Sequence, residues 1–297
     1  MSRVHTIKRY YEGVISSEVR IPIHRAIYRM YHSTFLSLIL VAASLIRKMP
    51  RGSTILSDYF EIQTANITSI KLDGTEYSFF TPNRLTEFRA KTLFTKEPET
   101  IEWISNFQKD SVFWDVGANV GTYSIFAGRK NLKVVAFEPS FLNLECLARN
   151  IILNNITTNV AVLPLALNRR SGIESLFMSS ENFRAGGAHN SIELPIDQYG
   201  NEMSHSVVIQ WPALTIDSSI TLFNLPTPTH LKLDVDGCEL QVLQGGVKAL
   251  AQVESVLIEV YPFHKSAIAI TNLLESSGLV LDASDFPDSA NQIWVRK

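Results

Sequence analysis

The segment that most limits what this chain can fold into starts at Val112. A short apolar run, Val112 to Val116, ends in the turn Gly117 to Gly121, and a helical period follows through about Gly128. A second apolar run, Lys133 to Phe137, and an amphipathic stretch, Asn143 to Leu153, repeat the pattern, with Val160 to Leu163 as a third strand. Strands alternating with helices at this spacing build βα units around a mostly parallel sheet. The rhythm resumes with a strand at Leu231 to Val235, a short helix at Glu239 to Leu243, a strand at Ser255 to Val260 and a helix at Ser266 to Ser276. Val280–Leu281 and Ile293 to Val295 read as final strands.

Two stretches fall outside this rhythm. Ser171 to Gln210 is polar and rich in turn residues, and reads as an insertion able to carry substrate contacts, or as a plain surface excursion. The first 94 residues read as an irregular accessory region, with a hairpin around Asp73-Gly74 that joins Ile67 to Leu72 and Glu76 to Phe80. The domain is then expected over residues 95–297. Within the accessory region, Ser33 to Ile46 is an uncharged run of 14 residues flanked by Arg29 and by Arg47 and Lys48. A bilayer span needs about 20 such residues. The run is therefore expected to be a buried or docking helix, with weak membrane association as the alternative.

At 297 residues the chain has material for a substantial core. A formal charge of -2 gives no wide basic field for duplex nucleic acid, so a nucleic-acid partner is not expected. Two cysteines, Cys146 and Cys238, exclude a multi-disulfide scaffold and fit a reducing, cytoplasmic setting.

The chemistry concentrates at strand ends. Gly117 and Gly121 let the chain turn tightly between strand and helix, and the new helix presents unpaired N–H groups. Asn119 stands where a dinucleotide fingerprint would carry its second glycine. Asp115 would repel a pyrophosphate but suits a cationic amine or sulfonium, which favours S-adenosylmethionine over a nicotinamide dinucleotide. Glu138 closes the second strand 23 residues later, where nucleoside-binding folds place an acid on ribose hydroxyls. Asp234, Asp236 and Glu239 follow the strand at 231–235 and should share the same rim. Clustered acids raise one another's pKa, which suits a general base, or they bind a divalent metal. Glu259 ends the next strand, and His264 follows it as a second candidate base. Asp234-Val235-Asp236 is also a D-x-D, the metal and nucleotide-sugar handle of many glycosyltransferases, and a further alternative is a non-catalytic binding module on the same fold, docked through Ser33 to Ile46.

These motifs, in this order, resemble the FkbM-type family of S-adenosylmethionine-dependent methyltransferases across about residues 95 to 265. The matching residues are Asp115 to Gly121, Phe137-Glu138-Pro139, Leu214 to Asp217, Lys232 to Glu239 with Leu243 and Gly245-Gly246, and Ile258-Glu259-Val260. The family usually carries Glu where this chain has Asp236. The resemblance implies a Rossmann-like methyltransferase domain in which Asp115, Gly117, Asn119, Gly121 and Glu138 hold the cofactor. It also implies that Asp234 and Asp236 lie by the transfer site, and that the acceptor is the hydroxyl of a sugar or natural product.

Overall fold

The computed structural model describes residues 37–56, 66–180, 183–188, 190–193, 195, 199, 201–203, 206–261, 263–282 and 290–297. The basic start of the chain, the first four residues of the apolar run and Pro262 lie outside the described residues. The chain divides into two compact units, Met1–Asn66 and Ile67–Lys297. In the first, residues 37–47 form a helix and residues 52–56 a second short one. Neither is long and apolar enough to cross a membrane, nor is any other helix among the described residues.

The second unit is built on a seven-stranded sheet in the order β12-β13-β11-β10-β3-β4-β5. Its parallel part is β3 (Val112–Val116), β4 (Lys133–Phe137), β5 (Val160–Leu163), β10 (His230–Leu233) and β11 (Ser255–Glu259). The edge strands β12 (Leu279–Leu281) and β13 (Asn291–Arg296) pair antiparallel to each other, and β13 pairs antiparallel to β11. Alternate side chains leave opposite faces of each strand. Trp114, Val116, Leu231, Leu233 and Ile258 therefore enter one buried cluster, while Phe113, Val134, Ala136 and Leu257 enter the other. Both faces are covered, as a parallel sheet requires. On the first face lie α5 (Ile216–Phe223), α6 (Glu239–Gln244), α7 (Val247–Leu250) and α8 (Ala267–Ser276). On the second lie α3 (Thr122–Arg129) and α4 (Phe141–Leu153).

Chain order runs outward from β3 through β4 to β5, and then returns to β10 on the other side of β3. The connections diverge between β3 and β10, which makes the carboxyl ends of these two strands the switch point where such sheets bind ligands.

The compact unit that holds the sheet begins N-terminal to residue 95. The hairpin β1 (Ile67–Leu72) and β2 (Thr75–Phe80), with α1 (Arg84–Lys91) and α2 (Pro98–Ser105), belongs to the second unit. Asn150 and Asn154 on α4 bind the β2 backbone at Phe80 and Ser78, and Tyr77, Phe79, Ala90 and Trp103 enter its core. Tertiary hydrogen bonds join segments about 70 residues apart, which local composition does not reveal.

The 171–210 stretch is also more than an excursion. Parts of it, with flanking residues, build a four-stranded sheet, β6-β9-β7-β8, from β6 (Ala166–Leu167), β7 (Gly172–Ser179), β8 (Asn190–Ile192) and β9 (Ser206–Leu214). Leu176, Met178, Ile192 and Ala213 are its buried core, with Val207, Ile209 and Trp211 alternating along β9 on the same side.

Candidate active site

The carboxyl ends of β3 and β10 touch. A Cβ on Gly117 would stand 1.8 Å from the Asp234 carbonyl oxygen, and Gly117 has φ +82. Glycine is required there by the neighbouring strand as well as by the turn. Gly121 has φ +86, and a Cβ there would meet Leu147 of α4 at 2.3 Å, so it lets α3 and α4 close together. Asn119 takes φ +52, a left-handed conformation that asparagine tolerates better than most side chains. Its side-chain oxygen accepts from the Val120 N–H at 2.9 Å, and its amide nitrogen donates to the Gly187 carbonyl at 2.8 Å.

Beside this loop opens a pocket lined by Gly117, Ala118 and Asn119 from the turn after β3, Thr122 and Tyr123 from α3, Lys232 from β10, Asp234 just after it, and Arg89, Thr92, Leu93, Lys96 and Glu97. The last five come from α1 and the turn after it, on the N-terminal side of the motifs that carry the family resemblance. Lys232 is 1% exposed, and its ammonium lies 2.9 Å from Asp234 Oδ2 and 5.1 Å from the centre of the Tyr123 ring. Tyr123 in turn donates its hydroxyl to Glu97 at 2.7 Å. Lys232 and Asp234 are two residues apart in extended chain, which puts them on one face. Burial alone would lower the Lys232 pKa, but the carboxylates of Asp234, Asp115 and Glu97 outweigh it and hold the ammonium protonated. Burial would likewise raise Asp234, but the Lys232 ammonium holds that carboxyl below the usual range, so it stays ionised.

Asp115 lies beneath the pocket and is fully buried. Its Oδ2 accepts from the Ser124 hydroxyl at 2.6 Å, whereas Oδ1 has no hydrogen-bond partner. Burial raises its pKa, with Lys232 and Ser124 opposing the shift.

Glu138 is 3% exposed and its acceptors are engaged. The Asn119 N–H donates to Oε2 at 2.7 Å, and the Ser140 N–H and the Asn143 side chain donate to Oε1 at 2.8 and 3.3 Å. Burial pushes its pKa up to about 7 despite these donors. The backbone at Ala185–Gly187 is clasped over this corner. Asn83 binds the Ala185 carbonyl, Arg89 the Gly186 carbonyl at 2.7 Å, and Asn143 accepts from the Gly186 N–H at 2.9 Å.

The acids after β10 separate by environment. Asp234 lines the pocket with 35% of its side chain exposed. Asp236 has φ +54, and its Oδ2 accepts from the Asn190 N–H at 3.1 Å, tying the turn to β8. Glu239 is 4% exposed, and its Oε1 accepts from the Val235 and Gly237 N–H groups, so it braces the turn from inside. Burial pushes Glu239 to about 7. Glu259 accepts from the Tyr261 hydroxyl at 3.0 Å and is pushed to about 8 by burial and by Asp234. His264 is not among the pocket-lining residues; its Nδ1 lies 2.6 Å from the Ser266 hydroxyl at the start of α8. Among the described residues no group of three or more His, Cys, Asp or Glu is placed to hold a metal ion.

The remaining motif residues are scaffold. Asp217 accepts from the Lys248 and Ala249 N–H groups at the start of α7. A Cβ on Gly245 would lie 2.2 Å from the Asn168 carbonyl oxygen, and one on Gly246 2.7 Å from Ile216.

With this geometry in place, comparison with known proteins is decisive at the family level. A model of the methyltransferase FkbM domain matches residues 115–283, more than half of the chain. The chain belongs to the FkbM methyltransferase family. It is 24% identical over 221 residues to the hexuronic acid methyltransferase AglP of Haloferax volcanii, covering 73% of this chain and 84% of that protein. It is 25% identical over 240 residues to the methyltransferase sdnD of Sordaria araneosa, covering 71% and 90%. Among solved structures it is similar to a methyltransferase FkbM from Methylobacillus flagellatus, with 17% identity and a TM-score of 0.44. That match covers 64% of this chain and 44% of the other. The expected Rossmann-like methyltransferase fold and the family are thus borne out, and the protein is a methyltransferase.

Proposed function

We propose that this methyltransferase moves the methyl group of S-adenosylmethionine to a hydroxyl of a sugar or natural-product acceptor, at the crevice between β3 and β10. The observation that carries the reading is the pairing of both charge signs in the pocket beside the Gly117–Gly121 loop. Arg89 and Lys96 stand there against Glu97, beside the Lys232–Asp234 ion pair. Such a surface complements an amino-acid zwitterion, the methionine end of the cofactor. The residues fit the group on a second count, since Asp115 Oδ1 is a buried acceptor with no partner. Gly117, Asn119 and Gly121 would form the shelf, and Glu138 would turn from its internal donors to the ribose hydroxyls.

When bound, the cofactor supplies an electrophilic methyl on a sulfonium. The protein's part is to align the acceptor oxygen with it and to take the hydroxyl proton as the new C–O bond forms. Asp234 suits that place because it is ionised, faces the pocket and is held by Lys232. Asp236 and His264 reach it less directly, one being bound to the Asn190 N–H and the other paired with Ser266. The name of the Haloferax relative supports a sugar acceptor. The ion pair of Asp234 with Lys232 speaks against the D-x-D glycosyltransferase reading, because the metal handle would have to give up that partner.

The test is calorimetry with S-adenosylhomocysteine against a nucleotide sugar, followed by turnover on hexuronic acids and a panel of hydroxylated natural products. Asp234→Asn should keep cofactor binding and cut turnover by about 10² to 10⁴, the span of general-base loss. Nucleotide-sugar binding in place of S-adenosylhomocysteine would overturn the cofactor. Full activity of the Asn variant would move the base to Glu259 or His264. Loss of activity to EDTA, restored by Mg²⁺ or Mn²⁺, would assign the acids to a metal instead.

A further inference from the structure

The first unit bears a helix whose apolar side chains stand exposed among the described residues. In helix 37–47, Leu38, Leu40, Val41 and Leu45 are 65%, 62%, 58% and 61% exposed, and Ile39 is 37% exposed. At 100° per residue these side chains point all around the axis, so exposure is not confined to one polar face. The helix ends in a turn that carries Arg47, Lys48 and Arg51, all exposed, with Met49 among them at 60%. Soluble surfaces seldom leave such apolar area contiguous and bare.

The charge of the whole sequence is segregated around this helix. Residues 1–51 hold nine Lys and Arg against two Glu, whereas residues 52–297 hold 18 Lys and Arg against 27 Asp and Glu. The near-neutral total of -2 hides a basic segment joined to an acidic remainder. The described part of this helix, residues 37–47, rises roughly 16 Å at 1.5 Å per residue, about half a bilayer's hydrocarbon thickness, and no helix among the described residues is long and apolar enough to span. Apolar side chains flanked by cations are the chemistry that inserts into the interface of an anionic membrane.

We propose that the first unit docks this methyltransferase on an anionic phospholipid surface, with the Leu38–Leu45 side chains inserted at the headgroup boundary and Arg47, Lys48 and Arg51 on the lipid phosphates. The proposal does not depend on the methyl donor or acceptor. In co-sedimentation, the full chain should bind vesicles of phosphatidylcholine and phosphatidylglycerol at least ten-fold more tightly than vesicles of phosphatidylcholine alone. Raising the salt concentration should release it. Leu40→Glu, and separately Arg47→Glu with Lys48→Glu, should each weaken binding at least ten-fold without shifting the melting temperature of the second unit. Four results would overturn the proposal: equal binding to neutral vesicles, no binding to either, release only by detergent, or displacement from vesicles by duplex DNA. A concentration-dependent dimer abolished by Leu40→Glu would also overturn it, by making a second copy of the chain the occupant of the helix.

Discussion

Two pairs of carboxylates border the same crevice and are satisfied in opposite ways. Asp115 and Asp234 face the Lys232 ammonium, whereas Glu138 and Glu239 are surrounded mainly by backbone N–H groups. The ammonium keeps Asp234 ionised, so that corner presents charge to whatever enters the pocket. N–H donors do not carry a full charge, and burial wins, leaving both glutamates near 7. A carboxylate on a full charge is thus kept ionised, while one on backbone dipoles stays near neutrality and, at Glu239, holds a turn in shape.

The largest effect comes from breaking the charged half. Lys232→Met leaves two carboxylates without their counterion in a buried site, a loss worth about 3 to 5 kcal/mol. Urea denaturation at neutral pH should show that loss. Adding Asp234→Asn to the same chain should recover part of it, because one of the two uncompensated charges is then gone and only Asp115 is left. If the double variant is as unstable as the single one, packing of the lysine stem against Tyr123, and not charge pairing, is what the site needs.

Lys232 also marks the limit of what the sequence reveals. The βα rhythm from Val112, the Gly loop and the strand-end acids were all legible, because period and turn residues are local signals. Lys232 enters the sequence reading through an apolar strand and a family motif, with no role of its own, although its i, i+2 spacing to Asp234 is a usable sign that both share a face. Arg89, Lys96 and Glu97 carried no such sign. Their place in the pocket depends on α1 packing onto β2 and α4, contacts made across long stretches of chain. Glu239 looked equivalent to Asp234 as a strand-end acid. Only the structure separates them, since a carboxylate four residues into a turn can fold back on its own N–H groups.

The N–H-bound half can be sharpened through pH. Glu239 has a folded-state pKa of about 7 against 4.5 for an unperturbed glutamate. Because the folded value is raised, its contribution to stability is fully present below about 4.5 and is lost as pH rises through 7. Glu239→Gln keeps an acceptor oxygen for Val235 and Gly237 but cannot ionise. The variant should match the parent near pH 4 and exceed it by about 3 kcal/mol near pH 8, from 1.36 kcal/mol per pKa unit. Thermal or urea unfolding at the two pH values measures the difference. A variant less stable than the parent at both would mean that the ionised carboxylate is what braces the turn.

The smallest effect belongs to the Glu138 corner, where Asn143 is the joint. Its side chain donates to Glu138 Oε1 and to the Gly187 carbonyl, both at 3.3 Å, and accepts from the Gly186 N–H at 2.9 Å. Asn143→Ala removes all three, at a cost of about 1 to 3 kcal/mol for the buried groups left without partners. That cost should fall locally, because Ala185–Gly187 is a short irregular segment held at its other side by Asn83 and Arg89. Hydrogen exchange at the Gly186 amide should therefore accelerate at least ten-fold while the β3 and β10 amides stay protected. Exchange that speeds equally across the sheet would mean that Asn143 supports the core of α4, and the contrast between a charge-held and a backbone-held half of the crevice would lose its second member.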